Sequence, residues 1–210
     1  MSPRKALPIV QLGDPVLRHV GRELTPAEIK SAEIRGLIER MRDTMRKAPG
    51  VGLAAPQVGL GLRLAVIEDQ EAYVDEMDDD ERAAKERDPV PFHVVINPRI
   101  EVVDPAPCRF FEGCLSLAGY VAVVARAHAV RVRCLDHEGE PRVIEAAGWY
   151  ARILQHEIDH LDGTVYVDRM ETRTFMDSED YSRHWGGEPV ELVRAALDAA
   201  RGLPERPREP

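Results

Sequence analysis

His156 and His160 stand four residues apart with Glu157 between them, in the segment Gln155-His156-Glu157-Ile158-Asp159-His160. On a 3.6-residue period the two imidazoles project within ~40° of each other, so they share one helix face and can grip one divalent ion. Glu157 is turned ~100° away from His156. It can face a water on that ion without being a ligand, which is the arrangement of a metal-dependent hydrolase. The bland reading of the same residues is a solvated or core helix whose histidines only make hydrogen bonds.

A catalytic metal usually takes three protein ligands and keeps one position open. A metzincin needs a third histidine in His-Glu-x-x-His-x-x-Gly-x-x-His; this chain matches through Gly163 and then places Tyr166 there, so that pattern fails. A gluzincin needs a downstream glutamate on a helix, and Glu171 and Glu179 lie in a polar segment without apolar period. Upstream, Glu112-Gly113-Cys114-Leu115-Ser116 offers a thiol after a glycine, and a thiolate is a strong ligand for a divalent ion. Cys108 and Cys134 read as small buried hydrophobes.

These residues need elements to hold them. Ile153, Leu154, Ile158 and Leu161 recur at spacings of three and four, and Gly163 suits a left-handed C-terminal stop, so Trp149 to Asp162 is predicted as a helix. Thr25-Pro26-Ala27-Glu28 opens one long first helix that carries Ile29, Ile34, Leu37, Ile38, Met41 and Met45 inward and ends before Pro49. Gly50 to Gln57 is too rich in glycine and proline for regular structure. Short Val- and Ile-rich runs at Leu64 to Ile67, His93 to Ile96, Ile100 to Val103, Val121 to Val124, Val130 to Cys134 and Arg142 to Ile144 read as strands. Asn97-Pro98, Asp104-Pro105 and Glu138-Gly139 read as the turns between them. Helices do not alternate with these strands, so the expected class is α+β, with short antiparallel strands packed around a central metal-binding helix.

The chain of 210 residues suits one catalytic domain, assigned to 1–172, with a C-terminal extension at 173–202 that carries a helix opened by Gly187-Glu188-Pro189. A polar tail at 203–210 is expected to be disordered. No run of about 18 apolar residues occurs, and three cysteines are too few for a disulfide scaffold, so a soluble cytoplasmic protein without membrane contact is expected. The net charge of -9 is local: Glu68 to Asp88 holds eleven acidic and three basic residues, or -8, leaving -1 for the remainder. That excludes a broad basic face for DNA and marks about 68–91 as a solvated acidic insertion, either a loop or a frayed helix.

Gly50-Val51-Gly52-Leu53-Ala54-Ala55-Pro56-Gln57, Glu112-Gly113-Cys114-Leu115-Ser116 and Gln155-His156-Glu157-Ile158-Asp159-His160-Leu161-Asp162-Gly163 together resemble the three signature motifs of the peptide deformylase family, in the family's order. Gly13-Asp14-Pro15-Val16-Leu17-Arg18 and Asn97-Pro98 extend the likeness over about residues 7 to 170. The resemblance implies a metallohydrolase that removes the formyl group from the N-terminal formyl-methionine of new polypeptides and releases formate. It assigns Cys114, His156 and His160 to one divalent ion, Fe2+ by family habit, with Zn2+, Ni2+ or Co2+ as substitutes. Donor geometry alone suggests zinc.

By the same resemblance Glu157 is the proton carrier, and the Gln57 side-chain amide and Leu115 backbone N–H stabilise the formyl oxygen as it becomes negative. Gly52 would pair with the extended peptide, and Val51, Phe110, Trp149 and Ile153 are the candidates for lining the methionine pocket. The implied partners are N-formyl-methionyl nascent peptides, with transient ribosome contact. Two departures from the family are Ala118, where many members carry proline, and the long acidic insertion. Arg126 is a candidate partner for Glu112 behind the metal site. The competing readings are a zincin-like peptidase cutting internal bonds and a non-catalytic module built on a four-ligand metal.

Overall fold

The computed structural model describes residues 6 to 199, so residues 1–5 and the tail assigned to 203–210 lie outside the described residues. Two helices come first, α1 (Pro26–Ile29) and α2 (Ala32–Lys47). The long first helix expected from Thr25 is therefore broken. Thr25 and Glu28 form a reciprocal capping box over one turn, and the Ser31 hydroxyl then accepts the Ile34 N–H at 3.2 Å and starts a new helix. β1 (Gly52–Ala54) and a single 3-10 turn at Ala55–Val58 follow. The segment judged too rich in glycine and proline for regular structure thus supplies an edge strand.

β2 (Leu64–Asp69) leads into the acidic insertion, which folds as α3 (Glu71–Asp75) and α4 (Asp79–Lys85). The long strands β3 (Val90–Cys114) and β4 (Leu117–Leu135) are followed by β5 (Pro141–Ala147), α5 (Gly148–Leu161), β6 (Met176–Asp177), α6 (Ser178–His184) and α7 (Val190–Ala199). The sheet has six strands in the order β1-β2-β3-β4-β5, with β6 paired to β4, and every one of these pairings is antiparallel.

The sheet's middle differs from the expected row of short strands. β3 runs through Asn97-Pro98 and Asp104-Pro105, and its register against β4 shifts between Ile96 and Arg99 and on both sides of Asp104. Prolines that lack a ladder N–H are tolerated at such bulges, so they bend the strand without ending it. Asn97 holds one bend at φ 50, its amide pairing with Leu24 through both a donor at 2.8 Å and an acceptor at 2.9 Å. The Glu138-Gly139 turn does separate β4 from β5.

Both faces of β2 and of the Val94–Ile96 part of β3 are covered. Leu64, Val66, Val94 and Ile96 pack against Leu37, Ile38, Met41 and Met45 of α2. Ile67, Val95, Val130, Val132 and Ile144 pack against Ala151, Leu154 and Ile158 of α5. This explains why the strand sequences read as continuous apolar runs and not as alternating ones. Each fully buried aliphatic side chain contributes about 1.5–3 kcal/mol, and α5, the helix bearing the two histidines, is thereby fixed against the sheet.

Candidate active site

Gly113 and Cys114 close β3, where the register slips before Leu117 and the chain turns through Leu115 and Ser116 into β4. The turn carries the Cys114 thiol to α5: Sγ lies 3.2 Å from His160 Nε2. The ring centroids of His156 and His160 are 5.0 Å apart. One ligand atom from each of Cys114, His156 and His160 falls within 4.8 Å of the others, and among the described residues this is the grouping of three or more such side chains placed to hold an ion. A thiolate with two imidazoles fits a divalent transition metal.

Glu112 lies two residues before Cys114, on the same face of β3. Its carboxylate accepts both the Nε and Nη2 donors of Arg126 at 3.0 Å, an N–H from Arg152, and the Nδ1 donor of His156 at 3.1 Å. Nδ1 is thereby occupied, which leaves Nε2 of His156 for an ion. Burial alone would push the Glu112 carboxyl up; the His156 N–H and the Arg126 guanidinium overcome it and hold the group well below the usual carboxylate range. Arg126 also reaches Asp159, whose oxygens take the Arg169 fork at 2.7 Å each. The expected Arg126–Glu112 contact is present. Arg152, Asp159 and Arg169 were not singled out from the sequence, although Arg152 stands four residues before His156, the same spacing that picked out His160.

Glu157 is buried, and among the described residues one of its carboxylate oxygens, Oε2, has no hydrogen-bond partner. Gly52 makes room for it: a Cβ at Gly52 would lie 2.2 Å from Glu157 Oε1. Burial pushes the Glu157 carboxyl up to about 7. Gln57 is buried as well; its Oε1 accepts the Ala54 N–H at 2.8 Å, which turns the Nε2 donors toward Cys114 Sγ at 3.5 Å. Val10 N–H donates to Gln57 O at 2.9 Å and Leu12 N–H to Ser116 O at 2.7 Å, so the N-terminal segment laces the two loops together. Between those two bonds, Gln11 clips the turn after Cys114, donating to Leu115 O at 3.0 Å and accepting from Ala118 N–H at 3.3 Å. No spacing rule in the sequence pointed to Gln11.

A cavity of about 730 Å3 opens over these groups, and Val51, Gly52, Gln57, Leu115, Trp149 and Ile153 are on its wall. Phe110 is not. Phe111 lines the cavity instead, while the Phe110 ring stands edge-on to Trp149 at 6.0 Å with the Arg152 guanidinium 5.2 Å over it. Arg87, from the end of the acidic insertion, also lines the cavity; its fork holds buried Asp69 at 2.8 Å twice and its guanidinium lies 5.3 Å over Trp149.

A model of the polypeptide deformylase family matches residues 6–175. Peptide deformylase 3 of Streptomyces avermitilis is 47% identical over 194 residues, covering 92% of this chain and 84% of its own length. The chloroplastic peptide deformylase 1A of Solanum lycopersicum is 47% identical over 178 residues; 84% of this chain is covered, and the chain spans 64% of that protein. Among solved structures, peptide deformylase from Thermotoga maritima superposes with a TM-score of 0.66 at 35% identity, over 80% of this chain and 99% of that one.

Proposed function

The chain belongs to the polypeptide deformylase family, and from that membership we infer that it removes the formyl group from the N-terminal formyl-methionine of newly made polypeptides and releases formate. The observation that carries this reading is the convergence of Cys114, His156 and His160 beside Glu157, with the Gln57 amide 3.5 Å from Cys114 Sγ, in one cavity.

Cys114, His156 and His160 would hold one divalent ion, which when bound acidifies a water and polarises the formyl oxygen. We take that ion to be Fe2+ on the family resemblance; Zn2+, Ni2+ and Co2+ satisfy the same donors. Glu157 accepts the proton of the attacking water and returns it to the amide nitrogen as the carbon–nitrogen bond breaks, giving formate and a free amine. A carboxyl held near neutrality suits both halves of that exchange. The Gln57 Nε2 and Leu115 N–H donate to the formyl oxygen as charge builds on it, and losing one such donor typically costs roughly 10² to 10³ in turnover. Gly52 offers backbone to an extended peptide, and Val51, Trp149 and Ile153 receive the methionine side chain, with Phe110 acting through Trp149. An uncharged formyl amide needs no acidic recognition pocket.

The partners in this reading are formylated nascent chains, met in the cytoplasm with transient contact to the ribosome. No helix among the described residues is long and apolar enough to cross a membrane. The test is formate release from a formyl-methionyl tripeptide by protein loaded anaerobically with Fe2+, beside a Glu157→Ala control. Formate from the wild type alone supports deformylation and the role of Glu157. New internal amines without formate would replace this reading with a zincin-like peptidase.

A further inference from the structure

Leu115 carries the backbone N–H assigned to the formyl oxygen, and three holds converge on that residue. Its side chain lies over Gly50, where a Cβ would come within 2.9 Å of Leu115 Cδ1, and packs against the apolar cluster of α2, β2 and β3. Its neighbour Cys114 is pinned by pairing with Leu117 across the turn. Its carbonyl oxygen accepts from Gln11 Nε2 at 3.0 Å, while Gln11 Oε1 accepts the Ala118 N–H at 3.3 Å. The Cα of Leu115 is tetrahedral, so once the directions to Cβ and to the carbonyl are fixed, the direction to its nitrogen follows. With Cys114 held on the other side of a planar peptide, the N–H has little freedom to swing.

The Gln11 bond is the hold made by an exposed side chain from a distant part of the chain. Losing it removes little buried surface, so it costs the fold little. Gln11 is not among the residues that line the cavity, and it therefore acts on the reaction through Leu115. The backbone on either side repeats the arrangement, Val10 N–H bonding Gln57 O at 2.9 Å and Leu12 N–H bonding Ser116 O at 2.7 Å. Residues 10–12 thus span from the loop of one oxyanion donor to the loop of the other, with Gln11 at the centre. The Ala118 half of the clip depends on this chain's own residue, because the proline that many family members carry there has no N–H to donate.

We propose that Gln11 is a positioning residue: its two-way amide clip sets the Leu115 N–H where the formyl oxygen needs it as charge builds. The proposal rests on the deformylase reading for the role of that N–H.

The experiment compares wild type with Gln11→Met, which keeps the length and loses both hydrogen bonds, and Gln11→Glu, which can accept from Ala118 but has no donor for Leu115 O. With a formyl-methionyl tripeptide and rates taken per bound metal, kcat and kcat/KM should fall together by roughly 10- to 100-fold in both variants, below the 10² to 10³ of losing a donor outright. KM should stay within about 2-fold, the mark of an interaction made in the transition state. Metal content and Tm should match wild type. A second readout needs no turnover: in protein loaded with diamagnetic Zn2+, the order parameter of the Leu115 amide should drop in Gln11→Met from about 0.85 toward 0.6, while that of Val66 in β2 stays unchanged. Wild-type kcat in either variant, a loss confined to KM, or a loss that vanishes per bound metal overturns the proposal. An unchanged Leu115 order parameter overturns it whatever the activity. If wild type releases no formate, the deformylase reading falls by itself, and the order parameter still decides whether Gln11 holds that amide.

Discussion

The chemistry of this protein turns on two contacts that leave no space. A methyl group at position 52 would enter the Glu157 carboxylate, so Gly52→Ala should displace the proton carrier while leaving Cys114, His156 and His160 in place. Metal content should be unchanged and turnover should fall at least about 10²-fold, the size expected of an ångström-scale misplacement; wild-type turnover in that variant would mean that Glu157 does not need its seat. The second contact is Glu112, gripped by Arg126 and Arg152 and aiming His156. Arg126→Ala should weaken metal binding by about 10- to 100-fold in chelator competition. Arg126→Lys should not restore it, because an ammonium lacks the two-pronged fork that spans both carboxylate oxygens. The residues that hold the ion were legible from spacing and motif. Of the arginines behind them, Arg126 was paired with Glu112 from the sequence, whereas Arg152 and Arg169 were not, since a lone arginine reads as surface until its partners are known.

At the scale of elements, the acidic insertion is tied into the structure more firmly than its composition suggests. Asp69 and Arg87 join its two ends, and His128 on β4 bridges Glu86, at the end of α4, and Asp104 on β3, at 3.0 Å each. The bond to Glu86, then that to Asp104, raises the His128 pKa. A raised value means the tether is complete below the ordinary histidine pKa and is lost as pH rises through the raised one. The protection of α4 amides relative to their intrinsic exchange rate at each pH should therefore fall across that window, and in His128→Ala it should be low at every pH. A pH-independent wild-type profile would show that the bridge does not hold α4. Sequence composition marked this segment as solvated because it is poor in apolar residues; α3 is seated by the single buried Val74 and α4 by charge pairs, which leave no periodic signal. The opposite error occurred in the sheet. Asn97-Pro98 and Asp104-Pro105 carry strong turn signals, yet β4 runs alongside as a continuous partner and the bulges absorb the prolines, so tertiary pairing overrode local preference. Ser31 was a missed cap: Ile29 and Ile34 were read as one apolar run, although a spacing of five turns them ~140° apart on one helix.

For the whole molecule, the metal donors join two layers: Cys114 comes from the sheet, and His156 and His160 from α5. A bound ion should accordingly stabilise the fold globally. At free metal near 1,000 times its Kd the gain is about 4 kcal/mol, or roughly 10 °C in Tm for a chain of this size. Thermal melts with and without chelator measure it, and in Cys114→Ser the chelator-dependent difference should largely disappear. An equal difference in that variant would place the stabilising ion elsewhere. The α+β class and the histidine-bearing helix were readable from periodicity, because they follow from where apolar residues fall; the antiparallel order of the strands came with the family resemblance. Gln11 belongs to a different category: it reaches Leu115 and Ala118 across more than a hundred residues, and no local pattern records such a bond. The seat of Glu157 has the same long reach, and it constrains the order of folding. Gly52 is made early, and the carboxylate it accommodates arrives only with α5, after the β3–β4–β5 meander has formed from near neighbours. Closing that long loop is slow compared with zipping a hairpin. During refolding, regain of activity should lag behind formation of the β3–β4–β5 meander, because the catalytic carboxylate is seated only after it.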